Sequence, residues 1–266
     1  MELLGYLSSV IMGLSLGMIG GGGSILTVPI LVYLFGVDPV TATAYSLFIV
    51  GMTALVGGIN YYRAGQVDLK TGITFAIPSF IGVYAVRAYV VPNLPFTIFS
   101  FGSITVTKPL LMMLVFAVLM VAASLSMIKG NQVQSKKMQL SAPLKALLII
   151  VEGLVVGGVT GFVGAGGGFL IIPALVILVG LPMKIAVGTS LFIIAAKSLV
   201  GFTGDLQRHE VIDWQLLLSM SAIAIVGLFL GVWLSKRVSE KALKKGFGYF
   251  VLIMGTFILV DQLLKM

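Results

Sequence analysis

Two glycine clusters, GMIGGGGS at 17–24 and GFVGAGGG at 161–168, are the parts of this chain best suited to hold a ligand. Gly20, Gly21, Gly22, Gly23 and Ser24 form the first; Gly164, Ala165, Gly166, Gly167 and Gly168 form the second. Each glycine destabilises a helix by roughly 1 kcal/mol relative to alanine, so both clusters read as helix breaks. The free peptide N–H groups after such a break, and the positive end of the next helix, suit an anion. Close helix packing is the competing use of glycine in apolar helices. No Lys-Ser or Lys-Thr follows either cluster, which separates them from a nucleotide phosphate loop. Hydroxyls follow at Ser46 and Ser190, with Tyr45 and Thr189 beside them. They can donate to an oxyanion without carrying charge, or bond back to their own helix. Lys197 is a basic residue well within an apolar stretch. It either meets an anion there or extends its head to the interface.

The elements that position these residues are apolar throughout. Of 266 residues, 59% are hydrophobic and only 10% charged, where a soluble domain carries about 25%. Mean hydropathy is +1.14. Apolar runs near the ~20 residues that cross a bilayer occupy 3–19, 40–60, 71–91, 109–128, 146–163, 184–204, 214–234 and 246–264, with shorter ones at 25–36 and 169–180. The chain therefore reads as an all-α polytopic membrane protein with the lipid bilayer as its surroundings. The net charge of +8 fits basic loops that set orientation, not nucleic acid. There is no cysteine and a single histidine, His209, so disulfides, cysteine or histidine metal sites and metal cofactors are not expected. A nucleophile with a buried base is not apparent either, which argues against an enzyme.

The chain repeats itself. Shifted by 144 positions, residues 13–57 align with 157–201 without a gap, with 19 identities in 45 positions. Gly20, Gly22, Gly23, Pro29 and Gly36 fall on Gly164, Gly166, Gly167, Pro173 and Gly180; Ser46, Leu47 and Phe48 fall on Ser190, Leu191 and Phe192. Residues 1–128 form a first membrane repeat, 129–144 a polar linker and 145–266 a second repeat. Each copy holds a glycine-broken pair of helices and three full helices.

Charge gives the orientation. The linker and the loop at 235–245 are the most basic segments, so both are expected on the cytoplasmic side. An even number of crossings must then separate them, which makes each broken pair a hairpin and the second copy inverted relative to the first. This arrangement puts 12 of the 17 Lys and Arg inside, and leaves Arg87 and Lys108 in outside segments. The second limb of each hairpin has 12 residues, or about 18 Å, short of the ~30 Å hydrocarbon core. The glycine turns are therefore expected at mid-membrane, where irregular backbone is tolerated only inside protein or along a water-filled cavity. Inverted repeats with broken helices are common in secondary transporters.

The doubled pattern G-x-x-G-x-G-G-[GS]-x-[IL]-x-x-P-x-L, the stretch from Ala186 to Phe192, and the loops Gly65-Gln66-Val67-Asp68 and Glu210-Val211-Ile212-Asp213-Trp214 resemble the TauE/SafE sulfite exporter family. The second loop carries one extra residue. The resemblance implies a cytoplasmic-membrane transporter of sulfite, sulfoacetate or related sulfur-containing anions. It also implies a substrate region at Gly20–Ser24, Ser46, Gly164–Gly168 and Thr189–Ser190. An anion channel and a carrier of another small anion are the alternatives, and homo-oligomer formation stays open.

Overall fold

The computed structural model describes residues 2–101, 104–129, 142–206, 212–235, 237 and 240–264. His209, Glu210, Val211 and linker residues 130–141 lie outside the described residues. Among the described residues, ten helical segments follow in order. Helix α1 is Glu2–Ile19; α2 is built of Gly22–Leu26, Thr27–Pro29 and Ile30–Leu34; α3 is Pro39–Arg63; α4 is Leu69–Asn93; α5 is Lys108–Lys129. The second set is α6 (Ala142–Val163), α7 (Gly168–Ala174 continued by Leu175–Val179), α8 (Met183–Leu206), α9 (Trp214–Leu234) and α10 (Glu240–Leu264). Among the described residues, five are long and apolar enough to cross a membrane, and four shorter apolar ones accompany them.

Local chemistry sets the boundaries. The Asp38 carboxylate accepts from Val40 N and Thr41 N, and Pro39 opens α3. Asp68 and Asp213 cap α4 and α9 by accepting from Thr71 N at 3.1 Å and Leu216 N at 2.9 Å. Such caps satisfy donors that the helix itself leaves open. Widened π turns at Ile30–Leu34 and Leu175–Val179 follow the matched prolines Pro29 and Pro173, whose missing N–H interrupts the regular ladder.

Packing pairs helices across the two copies. Helix α1 lies on α9, α4 on α6, α3 on α8 and α5 on α10. Gly13 meets Ala224 and Gly17 meets Leu228, so α1 and α9 run parallel. Gly153 meets Pro78 and Gly161 meets Val83, so α4 and α6 also run parallel. Helices α3 and α8 run antiparallel, because Gly51 meets Leu199 while Gly57 meets Leu191. At the first hairpin, Phe35 packs edge-on against Tyr6 and over Gly5. The chain thus doubles back, and α2 ends where α1 begins. Small residues let these backbones approach, which matters where lipid offers no hydrophobic drive.

Two features depart from the sequence reading. Residues Thr97–Phe101 and Ile104–Thr107 pair as antiparallel strands between α4 and α5, in a segment that the apolar runs left unassigned. Arg87, expected in an outside segment, is fully buried in α4 and forms an ion pair with Asp205 of α8 at 3.4 Å. It is a second basic group within the bundle besides Lys197, held there because Asp205 supplies the opposite charge.

Candidate functional site

The two glycine turns meet. Gly21 and Gly168 touch backbone to backbone, leaving no room for a side chain on either. A methyl group on Gly166 would lie 2.7 Å from Val50 Cγ1 and 3.0 Å from Ser24 Cβ. Val50 and Ile194, against which Gly166 and Gly168 pack, lie near the middles of α3 and α8. Gly20 and Gly164 share one conformation, φ +77° and +75°, in the left-handed region that a Cβ disfavours. Each seats on the third helix of the other copy. Gly20 presses on Val187 of α8, and Gly164 presses on Thr43 of α3. Val187 and Thr43 are matched positions of the repeat.

The remaining candidate residues divide. Gly22 opens the short turn Gly22–Leu26, and Gly23 rests on the α1 backbone at Met12 and Leu16. The Ser24 hydroxyl donates to Gly21 O at 2.8 Å. Ala165 O accepts from Gly167 N at 2.5 Å. The Ser190 hydroxyl lies 3.1 Å from Gly20 O and 2.8 Å from Val187 O, so its single proton is shared between a turn carbonyl and a carbonyl of its own helix. Ser46 is fully buried, and its hydroxyl has no hydrogen-bond partner among the described residues. Thr189 faces elsewhere: its oxygen accepts from Asp68 N at 2.9 Å.

Lys197 reaches the second turn. It is fully buried, so its head does not extend to the interface. Its Nζ donates to Thr160 Oγ1 at 2.6 Å, and a methyl on Gly167 would lie 2.8 Å from that nitrogen. Among the described residues, no carboxylate pairs with it. An ammonium removed from water costs several kcal/mol unless an opposite charge meets it. Thr160 was not foreseen from the sequence. Its counterpart in the first copy is Leu16, so the repeat carried no signal for it. No group of His, Cys, Asp or Glu able to hold a metal occurs among the described residues.

Comparison with known proteins places the chain among membrane transporters. A family model described as sulfite exporter TauE/SafE matches residues 6–258. A probable membrane transporter protein of Xylella fastidiosa (strain 9a5c) is 30% identical over 256 residues, covering 95% of this chain and 92% of its own. The probable membrane transporter protein YunE of Bacillus subtilis is 29% identical over 262 residues, covering 90% and 92%. MJ0441 of Methanocaldococcus jannaschii, also described as a probable membrane transporter protein, is 24% identical over 268 residues, covering 94% of each. No solved structure matches the chain.

Proposed function

Because this chain belongs to the TauE/SafE sulfite exporter family, a family of membrane transporters, we propose that it exports a small sulfur oxyanion, sulfite or a sulfonate, across the cytoplasmic membrane by alternating access. One observation carries the reading. The buried Lys197 ammonium lies beside Gly167, in the turn that touches the other copy's turn, without a carboxylate to neutralise it among the described residues. A substrate anion at this point would supply the missing charge. The turn amides and the unpartnered Ser46 hydroxyl would complete its hydrogen bonds, and Thr160 holds the ammonium towards the turn. The substrate region then comprises Gly20–Ser24, Gly164–Gly168, Ser46, Ser190 and Lys197, with Thr189 at its edge.

The antiparallel α3 and α8 support two inverted copies with boundaries at 1–128 and 145–266. Gly21 and Gly168 are in backbone contact, which favours a conformational cycle over an open channel. With 129–144 and 235–245 in the cytoplasm, an outward anion moves down the membrane potential, gaining about 2.3 kcal/mol per charge per 100 mV. Liposomes holding the purified protein and preloaded sulfite test the proposal. Release faster than from protein-free liposomes, abolished by Lys197→Met in protein that stays folded, is expected. Equal release with and without protein, for sulfite and for sulfonates alike, overturns the substrate assignment.

A further inference from the structure

Two hydrogen bonds occupy matched places in the two copies. At the start of α4, Asp68 N–H donates to Thr189 Oγ1 of α8 at 2.9 Å. At the start of α9, Asp213 N–H donates to the Tyr45 hydroxyl oxygen of α3 at 2.7 Å. Tyr45 and Thr189 are related by the repeat offset of 144, and Asp68 and Asp213 by that offset plus the inserted residue. Both aspartates cap their own helices with their carboxylates. Their main-chain N–H groups precede the helical ladder and are available to an outside acceptor. Each bond therefore ties the start of one copy's fourth helix to the third helix of the other copy.

The two bonds lie at opposite ends of the bundle. Tyr45 and Thr189 each sit six residues into their helices, and α3 and α8 run antiparallel. Each bond also sits beside the seat of a glycine turn. Thr189 lies between Val187 and Ser190, which hold Gly20. Tyr45 lies two residues from Thr43, on which Gly164 rests. One helical turn thus carries both a glycine turn and the end of the helix that covers it. An opening movement at either end must release the local bond first.

Resting on the alternating-access reading above, we propose that Asp68–Thr189 and Asp213–Tyr45 are two latches that release in alternation. Release of the first exposes the Gly20–Ser24 turn towards one membrane face; release of the second exposes the Gly164–Gly168 turn towards the other. Both are closed in this structure. The ends are unequally fastened. Trp214, next to Asp213, packs on Phe48 at 5.7 Å and Phe202 at 6.2 Å, and Asp205 on the near side of the same loop is paired with Arg87. At the Thr189 end, the Gln66 carbonyl lies against Gly188, where a side chain would not fit. The Thr189 latch has no ion pair beside it among the described residues and is the weaker one.

Because the chain has no cysteine, single reporters at Ser46→Cys and, as a second position, Ser24→Cys test this in membrane vesicles of both orientations. The reading is the rate of labelling by a membrane-impermeant maleimide, which needs no substrate. Thr189→Val should raise labelling from one face by roughly fivefold, the shift expected from losing one hydrogen bond. Tyr45→Phe should raise it from the opposite face by a smaller factor. Both variants acting from the same face, or neither changing the rate at either reporter, overturns the latches. Protection of the same cysteines by sulfite is scored separately: opposite-face effects without protection uphold the latches and count against the substrate reading.

Discussion

The two glycine turns share a backbone and differ in charge. Gly20 and Gly164 adopt the same left-handed conformation and seat on matched residues, Val187 and Thr43. Beyond that frame the copies diverge. Lys197 of α8 corresponds to Thr53 of α3, whose hydroxyl bonds back to Ile49 O at 2.7 Å. Thr160 of α6 corresponds to Leu16 of α1. Asp205, ion-paired with Arg87, corresponds to Tyr61, whose hydroxyl makes only a 3.4 Å contact with Gly17 O. The two sequence-matched breaks share their seats, and Lys197 and Thr160 lie at the second of them only.

The largest effect expected from this contrast is on stability. Asp205→Asn leaves the buried Arg87 with a weakened counter-charge and should cost about 3 kcal/mol, whereas Tyr61→Phe should cost less than about 1 kcal/mol. Denaturation midpoints in detergent measure both, and equal losses would erase the distinction between the copies. Next comes transport: Lys197→Met should lower sulfite release at least about 100-fold, the effect of removing one partner of a buried charge pair, while Thr53→Val should change it little. A loss shared equally by the two variants would move the anion away from the second turn. A smaller loss, about tenfold, is expected for Thr160→Val, which removes the acceptor that orients the ammonium. Thr160→Ser should restore wild-type release, and Thr160→Val should add nothing in the Lys197→Met background. Most symmetric, Gly20→Ala and Gly164→Ala should each cost about 1–2 kcal/mol from the left-handed backbone, with a further cost where the new methyl meets Val187 and Thr43. Unequal costs would show that the turns are not equivalent frames.

Much of this was legible in residue order. Runs of apolar residues must become helices where lipid cannot satisfy a peptide group, so the crossings could be read directly. The offset of 144 marked matched helices, and four neighbouring glycines marked each break. Such signals are local or repeat at a fixed spacing. What sequence left undecided are pairs brought together from far apart. Lys197 had two destinations, and only the α6–α8 contact, which brings Thr160 within 2.6 Å, gives it one. Arg87 looked like a loop charge because Asp205 is 118 positions away. Thr189 stood out as a hydroxyl, and only the packing shows that its oxygen accepts from Asp68 N, 121 positions away. Hydrophobicity and chain stiffness act between neighbours and write themselves into the order of residues. Charge pairing and hydrogen bonding act over a few ångströms of space, and which groups come that close is settled only when the helices pack.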